Sequence, residues 1–163
     1  RRTAGILSHI DDEFDLWEET VTTNLTSVMY LSKPVLPHLE ASVRQYGHAS
    51  LIVNSSILGF QKMDSLLLVR PSSAPVYIII HLEDVLTYRF ASQDVASKHG
   101  VTGWTLSLFE AVKNKGIKVT VVNPGPTDTV LAQSAFEKKH TIPTESIAHT
   151  VHFVATFPAF GCP

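Results

Sequence analysis

The chain has 163 residues, 44% of them apolar and 17% charged, enough for one domain with a sizeable core and too apolar for a disordered segment. Its formal charge of −2 gives no electrostatic reason to expect nucleic acid or an anionic membrane surface as partner. The single cysteine, Cys162, excludes an internal disulfide and a cysteine-based metal framework, which makes a reducing compartment such as the cytoplasm the default, and no apolar run is long enough to span a bilayer.

From Phe14 to Leu39 the residues Phe14, Trp17, Val21, Leu25, Val28, Leu31, Val35, Leu36 and Leu39 recur at helical spacing and predict a long amphipathic helix. The acidic run Asp11, Asp12, Glu13 and Asp15 suits its N-terminal end, and Pro37 marks strain or an ending near the other. "ASLIVNSS" then reads as a strand buried on both faces, as in a parallel sheet. The segment 61–93, with "SLLLV", "RPSSAP" and "VYIIIHLEDVL", follows no single periodicity.

Helical spacing returns from Asp94 to Lys115, with Gly116 placed as its C-cap. "IKVTVVNPG" is a second buried strand ending in a Pro-Gly turn. Thr144 is placed as the N-cap of a last helix, with Ile147, Val151 and Val154 on one stripe. This order of helix, strand, insert, helix, strand and helix predicts an α/β fold with a doubly wound parallel sheet. His149 and His152 stand three apart without an evident third ligand, so no metal site is expected.

Several segments resemble the short-chain dehydrogenase/reductase family, in that family's order. "TAGIL" is similar to the end of its N-N-A-G segment, with Ala4 and Gly5 at the matching positions. "NL" at Asn24 and Leu25 falls where the family carries a structural and proton-relay asparagine. "IVNSSILG" resembles the strand that ends in the catalytic serine, which maps to Ser56 through S-x-x-G to Gly59. "ASKHGVTGWTLSLFEAV" resembles the Y-x-A-S-K helix and maps the lysine to Lys98. "GIKVTVVNPGPTDT" is similar to the strand and turn beside the nicotinamide, with Pro124, Gly125 and Thr129 matching.

The resemblance implies the C-terminal part of a Rossmann-like domain, a single incomplete domain over 1–163 with an atypical insert at 61–93. It implies NAD or NADP as cofactor, a small carbonyl or alcohol substrate and hydride transfer between them, with Asn24, Ser56, Lys98 and the residue at position 94 in the catalytic set. Cofactor contacts would come from Ala4, Gly5, Lys98, Pro124, Gly125 and Thr129. The family also builds its homodimer from the helices corresponding to 14–39 and 94–115.

Three departures stand beside this. Asp94 occupies the tyrosine slot, and a carboxyl with an unperturbed pKa of about 3.9, four residues from an ammonium, is expected to be ionised and to have no proton to give. The interval from Ser56 to Asp94, 38 residues (94 − 56), far exceeds the family's, and Tyr77 or Tyr88 in the insert would have to fold back to replace the phenol. The glycine-rich pyrophosphate turn, which in the family precedes N-N-A-G, is not in the sequence. Two functions are therefore carried forward: an oxidoreductase fragment of this family, and a catalytically inactive remnant serving as a dimerisation or interaction module. The departures favour the second for the chain as written.

Overall fold

A computed structural model describes residues 11–59, 92–130 and 141–157. Its elements in chain order are α1 (Phe14–Val21), a π-turn (Thr22–Thr26), α2 (Ser27–Tyr46), β1 (Ala49–Asn54) and a 3-10 turn (Ile57–Gly59). Then come α3 (Ser92–Val112), a second 3-10 turn (Lys113–Lys115), β2 (Ile117–Val122) and α4 (Thr144–Thr156). The strands pair in parallel, Ala49 opposite Ile117 through Asn54 opposite Val122. The pairing runs past the strands, since Ser55 N–H donates to Val122 O and Ile57 N–H to Pro124 O, both at 2.8 Å.

Alternate residues of β2 face opposite layers. Ile117 and Val119 join Ala49, Leu108 and Val112 in the core, which Leu36, Leu39 and Val43 of α2 and Phe109 of α3 complete. Lys118 points the other way and donates to the carbonyls of Val154 and Phe157 at the C-terminal end of α4, where a cation also meets the negative end of the helix. Helices thus cover both faces of the parallel pair, as the sequence pattern predicts. On α4 the stripe Ile147, Val151 and Val154 is the half-buried one.

The first predicted helix continues beyond Leu39 to Tyr46, where Gly47 closes it in the left-handed conformation, φ +80°. Pro34 and Pro37 lie inside it. Each removes a backbone donor, and the carbonyls left without one belong to Tyr30 and Lys33. All four residues share one exposed stripe, so water can satisfy those carbonyls and the helix survives.

The apolar stripe read from the sequence is only partly the buried one: Phe14 is 78% exposed and Leu31 66%. Thr20, Asn24 and Ser32 are buried instead. Small side chains let α1 and the π-turn approach α3 closely, and the hydroxyls of Thr20 and Ser32 satisfy themselves on Leu16 O and Val28 O, each at 2.7 Å. Facing them on α3 are Ser97, Val101 and Thr105, all within 2% of complete burial.

Two helix starts also differ from expectation. α3 begins at Ser92 rather than Asp94, taking the last two residues of the expected insert, and its α-helical part ends at Val112. Pro143, not Thr144, stands at the N-cap of α4, and the Thr144 hydroxyl bonds Glu145 Oε2 at 3.2 Å. The rest of the insert, 61–91, with Tyr77 and Tyr88, lies outside the described residues, as do Ala4 and Gly5.

Candidate active site

The carboxyl ends of adjacent parallel strands are where open α/β sheets place ligands, because the chain leaves the sheet there and frees backbone and side-chain groups. Here β1 delivers Ser55 and Ser56 to that edge, and β2 delivers Asn123, Pro124 and Gly125. The two serines have different fates. Ser55 is 7% exposed, and its hydroxyl donates to the backbone carbonyl of Lys98 at 3.2 Å. Ser56 is half-buried, and its Oγ accepts from Leu58 N–H at 3.3 Å. Among the described residues the Ser56 proton has no acceptor.

Gly59 explains the S-x-x-G spacing. A Cβ there would run into the Lys98 carbonyl and lie 2.7 Å from Thr102 Oγ1. Its absence lets the 3-10 turn lie directly on α3, bringing Ser56 to the stretch that carries Asp94 and Lys98. Further along, Thr102 Oγ1 donates to Asn123 Oδ1 at 3.4 Å and ties α3 to the turn after β2. Thr127 is paired with Ile142 in an isolated parallel bridge, which anchors the loop bearing Pro124, Gly125 and the exposed Thr129.

Asn24 and Asp94 meet. The Asn24 amide donates to Asp94 Oδ1 at 3.0 Å and to Ser97 Oγ at 3.2 Å, while the Ser97 hydroxyl donates to Asp94 O at 2.8 Å. Asn24 reaches this position from the π-turn, whose wider winding displaces one residue from the ordinary helical ridge. Asp94 sits in the first turn of α3 and is only 3% exposed.

Lys98 is not the larger influence on the Asp94 carboxyl. Burial pushes the carboxyl above the usual aspartate range, and the Lys98 charge only partly opposes it. The sequence could place Lys98 four residues away, but it did not show that Asp94 would be sealed between helices. Among the described residues no ion pair joins the two side chains.

Asn24, Ser56, Asp94, Lys98, Pro124 and Gly125 are therefore gathered around α3 and the two strand ends. Ser55, Ser97 and Thr102 belong to the same framework, and sequence reasoning missed their positions. Ser55 had a signal in the doubled serine of "NSS"; which of the two would be free was a matter of strand register. His149 and His152 are exposed on α4, and no group of three His, Cys, Asp or Glu able to hold a metal occurs among the described residues. No helix of the described residues is long and apolar enough to cross a membrane.

A family model described as short chain dehydrogenase matches residues 87–140. A ketoacyl reductase named for the monensin polyketide synthase, from Streptomyces virginiae, is 31% identical over 134 residues, 82% of this chain and 40% of its own length. The 3-oxoacyl-acyl-carrier-protein reductase FabG of Buchnera aphidicola is 30% identical over 151 residues, 86% of this chain and 50% of its own length.

Among solved structures, the 3-ketoacyl-acyl-carrier-protein reductase of Brucella melitensis, complexed with NADH, superposes with a TM-score of 0.71 at 17% identity. That match covers 96% of this chain and 59% of the reductase. The chain thus spans about half the length of the proteins it matches, from 40% to 59%. With the serine, asparagine and lysine positions assembled around a parallel strand pair and these matches beside them, the chain belongs to the short-chain dehydrogenase/reductase family.

Proposed function

We propose that these residues form the substrate-facing part of an oxidoreductase site that moves a hydride between NAD(P)(H) and a small carbonyl or alcohol substrate. The observation that carries this reading is the convergence of Ser56, Lys98 and the Pro124–Gly125 turn at the carboxyl ends of β1 and β2. The donor set fits the nicotinamide end of such a cofactor. Ser56 has a hydroxyl proton, and Lys98 an ammonium, without an acceptor among the described residues. Lys98 would hold ribose hydroxyls, and the backbone at Pro124 and Gly125, with Thr129, would border the ring. Ala4 and Gly5 would add contacts.

When bound, the reduced nicotinamide supplies the hydride. The chain's own part is to orient the carbonyl oxygen on Ser56 and to stabilise the charge that develops there. Proton delivery is the weak step, because the Asp94 carboxyl is turned into the helix interface on Asn24. The relatives' names, ketoacyl reductases among them, agree with a carbonyl substrate.

The test is NADPH- and NADH-dependent reduction of a panel of ketones by the wild type, S56A and D94Y. The reading predicts slow turnover in the wild type, loss of it in S56A and a gain on the order of 10²-fold or more in D94Y, the scale of a positioned acid. No oxidation of either nucleotide by the wild type or by D94Y would overturn it.

A second reading is an interaction module without catalysis. It is favoured by the burial of Asp94 and by the exposed side chains of Phe14, Tyr30 and Leu31 on α1 and α2 and Leu106 on α3, a surface suited to homodimer formation. A sedimentation measurement giving twice the chain mass, together with inert D94Y, would support this alternative.

A further inference from the structure

Asp94 is a carboxyl at 3% exposure whose hydrogen-bond donor is a neutral amide, Asn24 Nδ2 at 3.0 Å. A carboxylate so enclosed requires a matching cation or several donors, or else it keeps its proton. Among the described residues, the elements around it supply little charge. The π-turn and the 3-10 turn Ile57–Gly59 contain no titratable residue.

α1 contributes Asp15, Glu18 and Glu19, all exposed, and β2 contributes Lys118, which is engaged with the end of α4. α2 carries Tyr30, Lys33, His38, Arg44 and Tyr46, all exposed, and Glu40, which is held by Lys115. Of the turn after α3, Lys113 is taken by Glu110 and Lys115 by Glu40. On α3 itself His99 is exposed and bonds Val95 O, leaving Lys98 as the cation that acts on Asp94.

We propose that α3 packs on the π-turn with Asp94 in its neutral form, and that ionisation, by placing a poorly compensated charge in this buried joint, loosens it, so that the helix carrying Lys98 is held in acid and loosened as pH rises. The sign follows from linkage. An aspartate that titrates higher in the folded than in the unfolded chain contributes stability that is complete below the ordinary aspartate range. That stability is lost as pH rises through the folded value. The inference is independent of any catalytic activity, because it concerns the packing of two helices.

The test compares the wild type with D94N, a neutral isostere that keeps an oxygen facing Asn24, by thermal unfolding from pH 4 to pH 8. The two should differ least at pH 4 and diverge as pH rises. D94N should gain roughly 3–5 °C for each pH unit by which Asp94 titrates above an ordinary aspartate. Hydrogen exchange should locate the effect: at pH 8 the amides of the π-turn and of residues 94–98 exchange faster in the wild type than in D94N, while β1 and β2 match.

If D94N does not fold, carbon-13 carboxyl titration of the wild type decides the matter alone. A midpoint above the ordinary aspartate range, tracked by the Asn24 side-chain amide, supports the proposal. A melting difference independent of pH, or a midpoint at or below the ordinary range, overturns it.

Discussion

The amide of Asn24 and the carboxyl of Asp94 lie 70 residues apart in sequence and 3.0 Å apart in space, and they join the π-turn to the first turn of α3. Removing the amide leaves a buried acceptor facing an apolar methyl. Asn24→Ala is therefore expected to cost about 1–3 kcal/mol of stability, measured as a lower urea midpoint at unchanged slope. An unchanged midpoint would mean that the joint opens to water.

Gly59→Ala places a Cβ against the Lys98 carbonyl, a backbone atom that cannot step aside without moving α3. Overpacking of this kind costs about 1–3 kcal/mol, and the accompanying shift should perturb the backbone amide resonances of residues 98–102. A variant as stable as the parent with unshifted resonances would refute the close approach.

Two left-handed glycines separate conformational cost from steric cost. Gly47 at φ +80° has nothing within 4 Å of an added Cβ, whereas at Gly116, φ +72°, that carbon would sit 2.9 Å from Val43 Cγ1. Gly47→Ala should cost about 1–2 kcal/mol from backbone conformation alone, and Gly116→Ala more. Reversal of that order in paired denaturation curves would count against the packing of α2 on the loop before β2.

The Glu40–Lys115 pair, 2.8 Å apart, links α2 to the turn after α3. Its hydrogen bond to Lys115, together with that cation's charge, holds the Glu40 carboxyl below the usual range. The contribution is present above the unfolded glutamate pKa and is lost as pH falls through the folded value. Glu40→Gln should therefore be slightly less stable than the parent at pH 7 and equal to it in acid, and added salt should shrink the difference, since both side chains meet solvent.

Much of this architecture is legible in the residues. Both strands, the parallel sheet, the last helix with its Ile147–Val151–Val154 stripe and the glycine after Lys115 follow from local pattern. What pattern could not reveal is which ridge of the first helix is buried. Phe14 and Leu31 are the hydrophobic choices, but the close contact with α3 selects the small residues Thr20, Asn24 and Ser32, a tertiary demand invisible to periodicity. The passage through Pro34 and Pro37 likewise depends on their facing water.

In the site, S-x-x-G and A-S-K point to Ser56 and Lys98 through the family resemblance, and the 3-10 turn that follows Ser56 packs on the helix that carries Lys98. The direction in which the Asp94 carboxyl is pushed was not legible, because its burial against Asn24 and Ser97 outweighs the lysine one turn on. Ala4, Gly5, Tyr77 and Tyr88 lie outside the described residues.

Whether the strand ends with Ser56 and Lys98 receive a nicotinamide cofactor is decided by titrating the purified chain with NADPH and NADH while following nicotinamide fluorescence, with Lys98→Ala in parallel. Saturable binding of at least one nucleotide is expected, weakened in Lys98→Ala because the ammonium proposed to hold the ribose is gone. No saturation at millimolar nucleotide, or identical curves for the two proteins, would contradict it.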